Sequence, residues 1–412
     1  MSREKDQEMR EVSGKTQVVA VALVTALCMI GDSMLYVVLP LFWKEAGLTS
    51  LWEVGVLLAV NRFIRVPIGP LVGKWYERSG GRRGLIVAVV LAFLTTLSYS
   101  LEGFWLWLLM RCLWGVAWTF LRLGAYSLIV SVSEGHNRGE LMGLYNGLYR
   151  LGSLGGMLVG ALLASWYGLS VTSIALAVPS LFAFILVFRC IRPSFTSQHP
   201  KDVKQMDTGK RLWSRAQVLL TLMTGLLVTM VYQGVFTSTL SRVIEVRESL
   251  IMIGGVVLGA AVIASVIQGI RWGWEPWAAP LVGKLSDRHG RTNLFIGTLL
   301  VASFLFAVLQ ATSSLVLWFA ILFGIQLTAT IITTVLDTLA ADEAARQANS
   351  QVVMTQYSVL SDLGAALGPL LAFWLDEHVG LSLVYIGIAM ILLLVGLVWL
   401  WRPKLIKMES AS

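Results

Sequence analysis

Ionisable side chains stand within the long apolar runs of this chain, among them Asp32, Arg62, Arg65, Arg111, Arg122, Arg150, Arg271, Glu275, Asp337 and Asp362. A charge at the centre of a bilayer costs at least ~2.5–3.5 kcal/mol on insertion scales, so each should face a protein interior or a water-filled cavity. Asp32 stands eight residues before Pro40, and Arg62 ten residues after Trp52. At a rise of 1.5 Å per residue these are depths of ~12 and ~15 Å from one side, so the two can meet, as a structural ion pair or as a proton or solute site. Arg65, one turn on, shares the face of Arg62. Arg111 and Arg122 are eleven residues apart, three turns, and project from one helix face where they could line a permeation path. For Arg122 a bond to backbone carbonyls is the alternative. Glu275 and Asp337 fall near run ends, where side chains reach the surface.

Arg150 and Asp362 sit at equivalent places of the two halves of the chain, with opposite signs. The first half holds five of these Arg against one Asp, a balance that suits a solute with negative charge or strong acceptors. Tyr36, one turn from Asp32, and Trp114 and Trp118 on the run of Arg111 could contact such a solute. Core packing and interfacial belts are the alternative for these aromatics.

The elements that must position these groups are membrane helices. With 412 residues, 56% hydrophobic and 14% charged, and a mean hydropathy of +0.74, the chain cannot cover a water-soluble globule of its size. The net charge of +8 sits in the connectors, where it orients a membrane protein and gives no reason to invoke nucleic acid. Twelve runs reach the length needed to cross ~30 Å of hydrocarbon: roughly 16–40, 52–73, 84–102, 104–131, 141–165, 170–190, 216–239, 252–278, 293–311, 314–338, 351–375 and 381–402. Lys and Arg collect in alternate loops, which places both termini on the cytoplasmic side. The expected fold is an all-α membrane protein of two parallel six-helix repeats, 16–191 and 216–402. A cytoplasmic linker, 192–215, joins them, and tails at 1–15 and 403–412 flank them. Cys28, Cys112 and Cys190 lack metal-ligand spacing, the four His lie in loops, and no Walker loop, H-E-x-x-H or nucleophile elbow occurs. An enzyme and a metal site are therefore not expected.

One connector repeats. Pro70-Leu-Val-Gly-Lys-Trp-Tyr-Glu-Arg-Ser-Gly-Gly-Arg-Arg83 returns 210 residues later as Pro280-Leu-Val-Gly-Lys-Leu-Ser-Asp-Arg-His-Gly-Arg291. Gly73, Glu77 and Arg78 in the first copy, and Gly283, Asp287, Arg288 and Arg291 in the second, resemble the loop signature G-x-L-x-D-R-x-G-R-R of the major facilitator superfamily. Arg111 and Gly115 resemble its R-x-x-x-G signature, associated with proton-coupled members. Gly143, Gly152, Gly156 and Gly160 resemble the signature of its drug and metabolite antiporters, with Met157 where Pro is usual; Gly364, Gly368 and Pro369 stand in the eleventh run. Independently of the family, glycines four apart make a helix face that another backbone can approach closely, for packing or for a seal that slides.

The resemblance implies a secondary transporter in a bacterial cell membrane, a monomer in lipid. It would move a small organic solute by rocking two bundles about a central site, with a proton gradient rather than a bound cofactor as the energy source. Proton-coupled efflux is the leading expectation. Transport of an anionic metabolite, in either direction, and a binding or sensor protein that no longer cycles are the alternatives. The loop motifs would latch the cytoplasmic side through the charges of Glu77 and Asp287. Asp287→Asn and Glu77→Gln are expected to reduce solute flux into proteoliposomes while leaving expression and membrane insertion intact; normal flux in both would remove the latch.

Overall fold

The computed structural model describes residues 2–132, 138–191, 216–248, 250–253, 256–345 and 350–409. The first helices are α1 (Ser2–Phe42), α2 (Leu51–Phe63), α3 (Arg65–Ser79), α4 (Gly81–Ser98), α5 (Phe104–Val132) and α6 (Arg138–Cys190). There follow α7 (Ala216–Thr229), a π-helical stretch Met230–Phe236 and α8 (Thr237–Arg247). The chain closes with α9 (Ala260–His289), α10 (Arg291–Leu309), α11 (Leu315–Ala345), α12 (Ser350–Val379) and α13 (Leu381–Glu409). Hydrocarbon offers no water to a backbone N–H or C=O, and a helix satisfies both within its own segment.

Ten described stretches are long and apolar enough to cross a bilayer. One of them, inside α6, is 47 residues long and turns at Gly168 (φ 75°), so it serves for two crossings. With α9, which carries Arg271 and Glu275, this makes the twelve crossings expected. The lipid-facing surface is visible as well: Ile174, Val178, Leu181, Ile185 and Phe188 are exposed at helical spacing on α6, and Leu383, Ile386, Met390, Leu393 and Leu397 on α13. The protein is a multi-pass integral membrane protein.

Two details differ from the sequence reading. The eighth crossing starts at Ala260 rather than 252, because β1 (Leu250–Ile253) and β2 (Val256–Gly259) form an antiparallel hairpin with Leu250 opposite Gly259. Branched residues on either side of Gly254 and Gly255 favour that pairing over a helix. The terminal segments are helical too, since α1 takes in residues from Ser2 and α13 runs to Glu409. The linker 192–215 lies outside the described residues.

By contacts the chain separates into a first unit, Met1–Val203 with Leu240–Val266, and a second, Lys204–Thr239 with Ile267–Ser412. The cuts at 239/240 and 266/267 fall inside α8 and α9, both of which run through them as continuous helices. Ser265 Oγ lies 2.8 Å from Ala261 O in its own helix and 3.0 Å from Met157 O of α6, and its one hydrogen is shared between the two acceptors.

Glycine sets the closest helix contacts in each unit. In the first, a Cβ on Gly152 would come within 2.5 Å of Ala26 O, on Gly156 within 2.3 Å of Ile30 O, and on Gly160 within 2.5 Å of Met34 Cβ. The α6 stripe is therefore seated on α1. In the second unit, a Cβ on Gly364 would meet Leu226 O at 2.1 Å, and one on Gly368 would meet Gly234 Cα at 2.4 Å, so α12 lies against α7 and the π-helical stretch in the same way. Pro369, inside α12, has no N–H to offer Ala365 O, and Gly234 faces that carbonyl. These contacts make the stripes packing surfaces within each unit.

Adjacent glycines give a controlled test. Gly156→Val is expected to lower the melting temperature of the detergent-purified protein, by the ~1–3 kcal/mol of an overpacked core or more, because the new atoms meet backbone. Gly155→Ala, with nothing within 4 Å of the added carbon, should leave it unchanged or raise it. Equal behaviour of the two would contradict the packing described.

Candidate functional site

The centre of the first unit is an ion pair. Asp32 on α1 accepts a hydrogen bond from Arg111 Nη1 on α5, and the two side chains are 4% and 0% exposed. Arg111 also donates Nε–H to Leu57 O on α2 at 2.8 Å, so the guanidinium ties three helices together. Small residues make room for it. A Cβ on Gly31 would strike Thr96 of α4 at 2.3 Å, and one on Gly115 would strike Asn61 O of α2 at 2.5 Å.

The sequence reading pairs Asp32 with Arg62; the observed partner is Arg111. Arg111 lies seven residues into α5, a depth of ~10 Å against ~12 Å for Asp32, so the depth argument holds and the choice of helix was open. Arg62 and Arg65 remain close by, because Tyr36 (8% exposed) stands in the combined field of Arg62, Asp32, Arg111 and Arg65. Tyr99, which sequence reasoning missed, abuts the Arg111 guanidinium and is packed on Trp107 with ring centroids 4.7 Å apart. The cluster is not fully satisfied by protein groups: both side-chain polar atoms of Asn61, Arg111 Nη2 and Trp114 Nε1 are buried without a partner.

From Trp114 toward the α6 end of α5 runs a band of cations and rings. Arg65 lies over Trp118 with its guanidinium carbon 5.4 Å from the ring centroid. Trp118 meets Tyr149 edge-on at 5.6 Å, Tyr149 meets Tyr145 at 5.2 Å, and Tyr145 meets Tyr126 at 6.1 Å. Arg122 closes the band by donating Nε–H to Tyr126 OH at 3.2 Å. Arg111, Trp118, Arg122 and Tyr126 all project toward this interior, as the three-turn spacing requires. Of the symmetric pair, Arg150 is exposed on α6 of the first unit and Asp362 is half-buried on α12 of the second.

The second unit holds polar groups of another kind. Gln326 Nε2 on α11 donates to Gln268 Oε1 on α9 at 3.1 Å. Tyr232 OH and Thr328 Oγ1 are 3.2 Å apart, Trp274 Nε1 donates to Thr330 Oγ1 at 3.2 Å, and Arg271 is 6% exposed. Asp337 accepts a hydrogen bond from Tyr357 OH at 2.7 Å and so has a donor in the bundle, beyond the reach to the surface expected of it.

The repeated loop motifs close helices. Gly80 (φ 77°) ends α3 and Gly290 (φ 84°) ends α9, a backbone state that side chains rarely adopt. Gly73 and Gly283 have open space around an added Cβ, so packing does not explain them. Tyr76 anchors the first motif by donating to Phe120 O at 2.7 Å. Arg291 anchors the second through an ion pair with Asp342 at the end of α11. Arg78 and Arg288 are exposed. The side chains of Glu77 and Asp287 lie outside the described residues.

The comparisons with known proteins agree with this architecture. The profile of the Major Facilitator Superfamily matches residues 21–274 and 276–410. Among sequence relatives is the multidrug resistance protein MdtG of Salmonella choleraesuis (strain SC-B67), 26% identical over 270 residues, 64% of this chain. The MdtG of Salmonella newport (strain SL254) matches equally, and the chain spans 65% of the length of these relatives. Among solved structures, an inward-facing, unoccupied bacterial homologue of the human lysosomal transporter Spinster aligns with a TM-score of 0.77 at 15% identity, over 95% of this chain and 97% of its own. A POT family transporter in complex with a thioalcohol-conjugated peptide aligns with a TM-score of 0.69 at 12% identity, over 95% and 96%. On a family match that runs nearly the whole length of the chain, this protein belongs to the major facilitator superfamily.

Proposed function

We propose that this protein is a proton-coupled secondary transporter that exports a small organic solute by alternating access, with Asp32 and Arg111 as the coupling pair. The buried ion pair carries the reading. Breaking such a pair by removing one partner costs ~3–5 kcal/mol, because it leaves an uncompensated charge. A step that parts Asp32 from Arg111 therefore requires a substitute for the lost partner. Arg keeps its proton at any physiological pH, so the carboxylate is the member that can bind one and lose its charge. Protonation then follows conformation, as coupling demands. The name of the MdtG relatives supports export of organic compounds, and their source supports a bacterial inner membrane. The basic loops support cytoplasmic termini.

A second reading, transport of an organic anion in either direction, is favoured by the guanidiniums of Arg65 and Arg122 set against the faces of Trp118 and Tyr126. In either reading no cofactor is needed, and the solute is a small molecule taken up by a single chain in lipid. Glu77 and Asp287 keep the proposed latch role, and the Arg291–Asp342 pair supports it by showing that the second loop engages a helix end.

Asp32→Asn is expected to keep solute binding and to lose uphill flux in proteoliposomes energised by a pH gradient alone. Uphill flux that persists would move the coupling to Asp362 or Asp337. Stability supplies an independent check. Arg111→Leu should lower the melting temperature by the equivalent of ~3–5 kcal/mol, and Asp32→Leu combined with it should recover most of that loss, since no lone charge remains. A double variant as unstable as the single would show that the pair is not what holds these helices.

A further inference from the structure

A fully buried polar contact in the second unit is made by two amides, each of which leaves one of its two polar atoms unused. Gln326 and Gln268 are 0% and 1% exposed and share one hydrogen bond. Gln268 Nε2 and Gln326 Oε1 are left buried without a protein partner. An unmade hydrogen bond of this kind costs ~1–3 kcal/mol, and no lipid atom can replace the partner. One free donor and one free acceptor thus stand side by side at the junction of α9 and α11.

The surroundings extend the pattern. Arg271 follows Gln268 by one turn of α9 on the same face, and its charge reaches the Tyr232 phenol. Tyr232 sits in the π-helical stretch Met230–Phe236, a widened turn of the kind found at functional sites, where Thr237 Oγ1 binds Tyr232 O at 2.8 Å. Trp274, a further turn along α9, adds a flat apolar wall that Thr330 holds by its indole N–H.

We infer that Gln268, Gln326 and Arg271 form a binding site inside the second unit for N-acylated carboxylates, organic anions in which an amide lies next to a carboxylate. Gln268 Nε2 donates to the solute's amide carbonyl, Gln326 Oε1 accepts its amide N–H, and the guanidinium pairs with its carboxylate. Trp274 is the wall for the acyl group. The site stands on this geometry; only its use in transport rests on the function proposed above.

Hippurate (N-benzoylglycine), its methyl ester and benzoate are the probes, titrated calorimetrically into the full chain in detergent. Saturable binding of hippurate is expected, with the ester and benzoate at least tenfold weaker. Gln268→Leu with Gln326→Leu removes the amide pair as a unit, and should melt at the same or a higher temperature while hippurate affinity falls at least tenfold. If that variant does not fold, Arg271→Gln is expected to abolish the preference for the acid over the ester. A leucine pair that binds hippurate as the parent does, equal affinity for acid and ester in the parent, or no saturable hippurate binding by the parent would each overturn the assignment. Hippurate binding by the Asp32→Asn chain supports the site whatever its flux, so failure of the coupling reading and failure of the site are separately visible.

Discussion

A carboxylate and a guanidinium buried together dictate the packing of the first unit. Neither charge is tolerable in hydrocarbon without the other, and the pair needs further donors and acceptors to offset its desolvation. Arg111 finds one in Leu57 O, which requires α2 to press against α5, and Gly115 is what lets it do so. Asp32 is held at the crossing of α1 with α4, where Gly31 removes the side chain that Thr96 would meet. Behind it, Gly152, Gly156 and Gly160 seat α6 on α1. Five helices, α1, α2, α4, α5 and α6, thus converge on one ion pair through positions without a Cβ. The glycines and the charges belong to a single arrangement.

That arrangement was partly legible in the chain. The cost of a charge in lipid marks Asp32 and Arg111 as interior residues from sequence alone. Depth along a helix is legible too, because rise per residue is constant. Rotation is not. Arg62 and Arg111 lie at similar depths on different helices, and only packing decides that Asp32 turns to Arg111. The same limit applies to the glycine stripes, whose period is plain but whose partners, α1 for one and α7 with its π-helical continuation for the other, are set by the tertiary contact. The hairpin at 250–259 was within reach, signalled by Gly254 and Gly255 between branched residues. Gln268 and Gln326 carry no charge, so the cost of an ion in lipid does not mark them, although an amide in a long apolar run carries a similar warning.

The two units keep one frame and differ in what it holds. Both close a helix at the loop motif with a glycine at positive φ, Gly80 in one and Gly290 in the other. Both seat a glycine stripe on the first long helix of the unit. Backbone contacts of this sort tolerate no added atoms, so they resist divergence between repeats. Interior side chains have more freedom. The first unit places a titratable carboxylate against a guanidinium at its core, while the buried cluster of the second is built from amides, hydroxyls and an Arg, groups that do not exchange protons near neutral pH. On the function proposed, proton chemistry belongs to the first unit and neutral hydrogen-bond recognition to the second. Asp337 of the second unit accepts a hydrogen bond from Tyr357, a neutral phenol. A neutral donor stabilises a carboxylate without imposing the penalty that parting from a counter-ion does, so the function proposed assigns the coupling proton to Asp32, whose partner is a guanidinium.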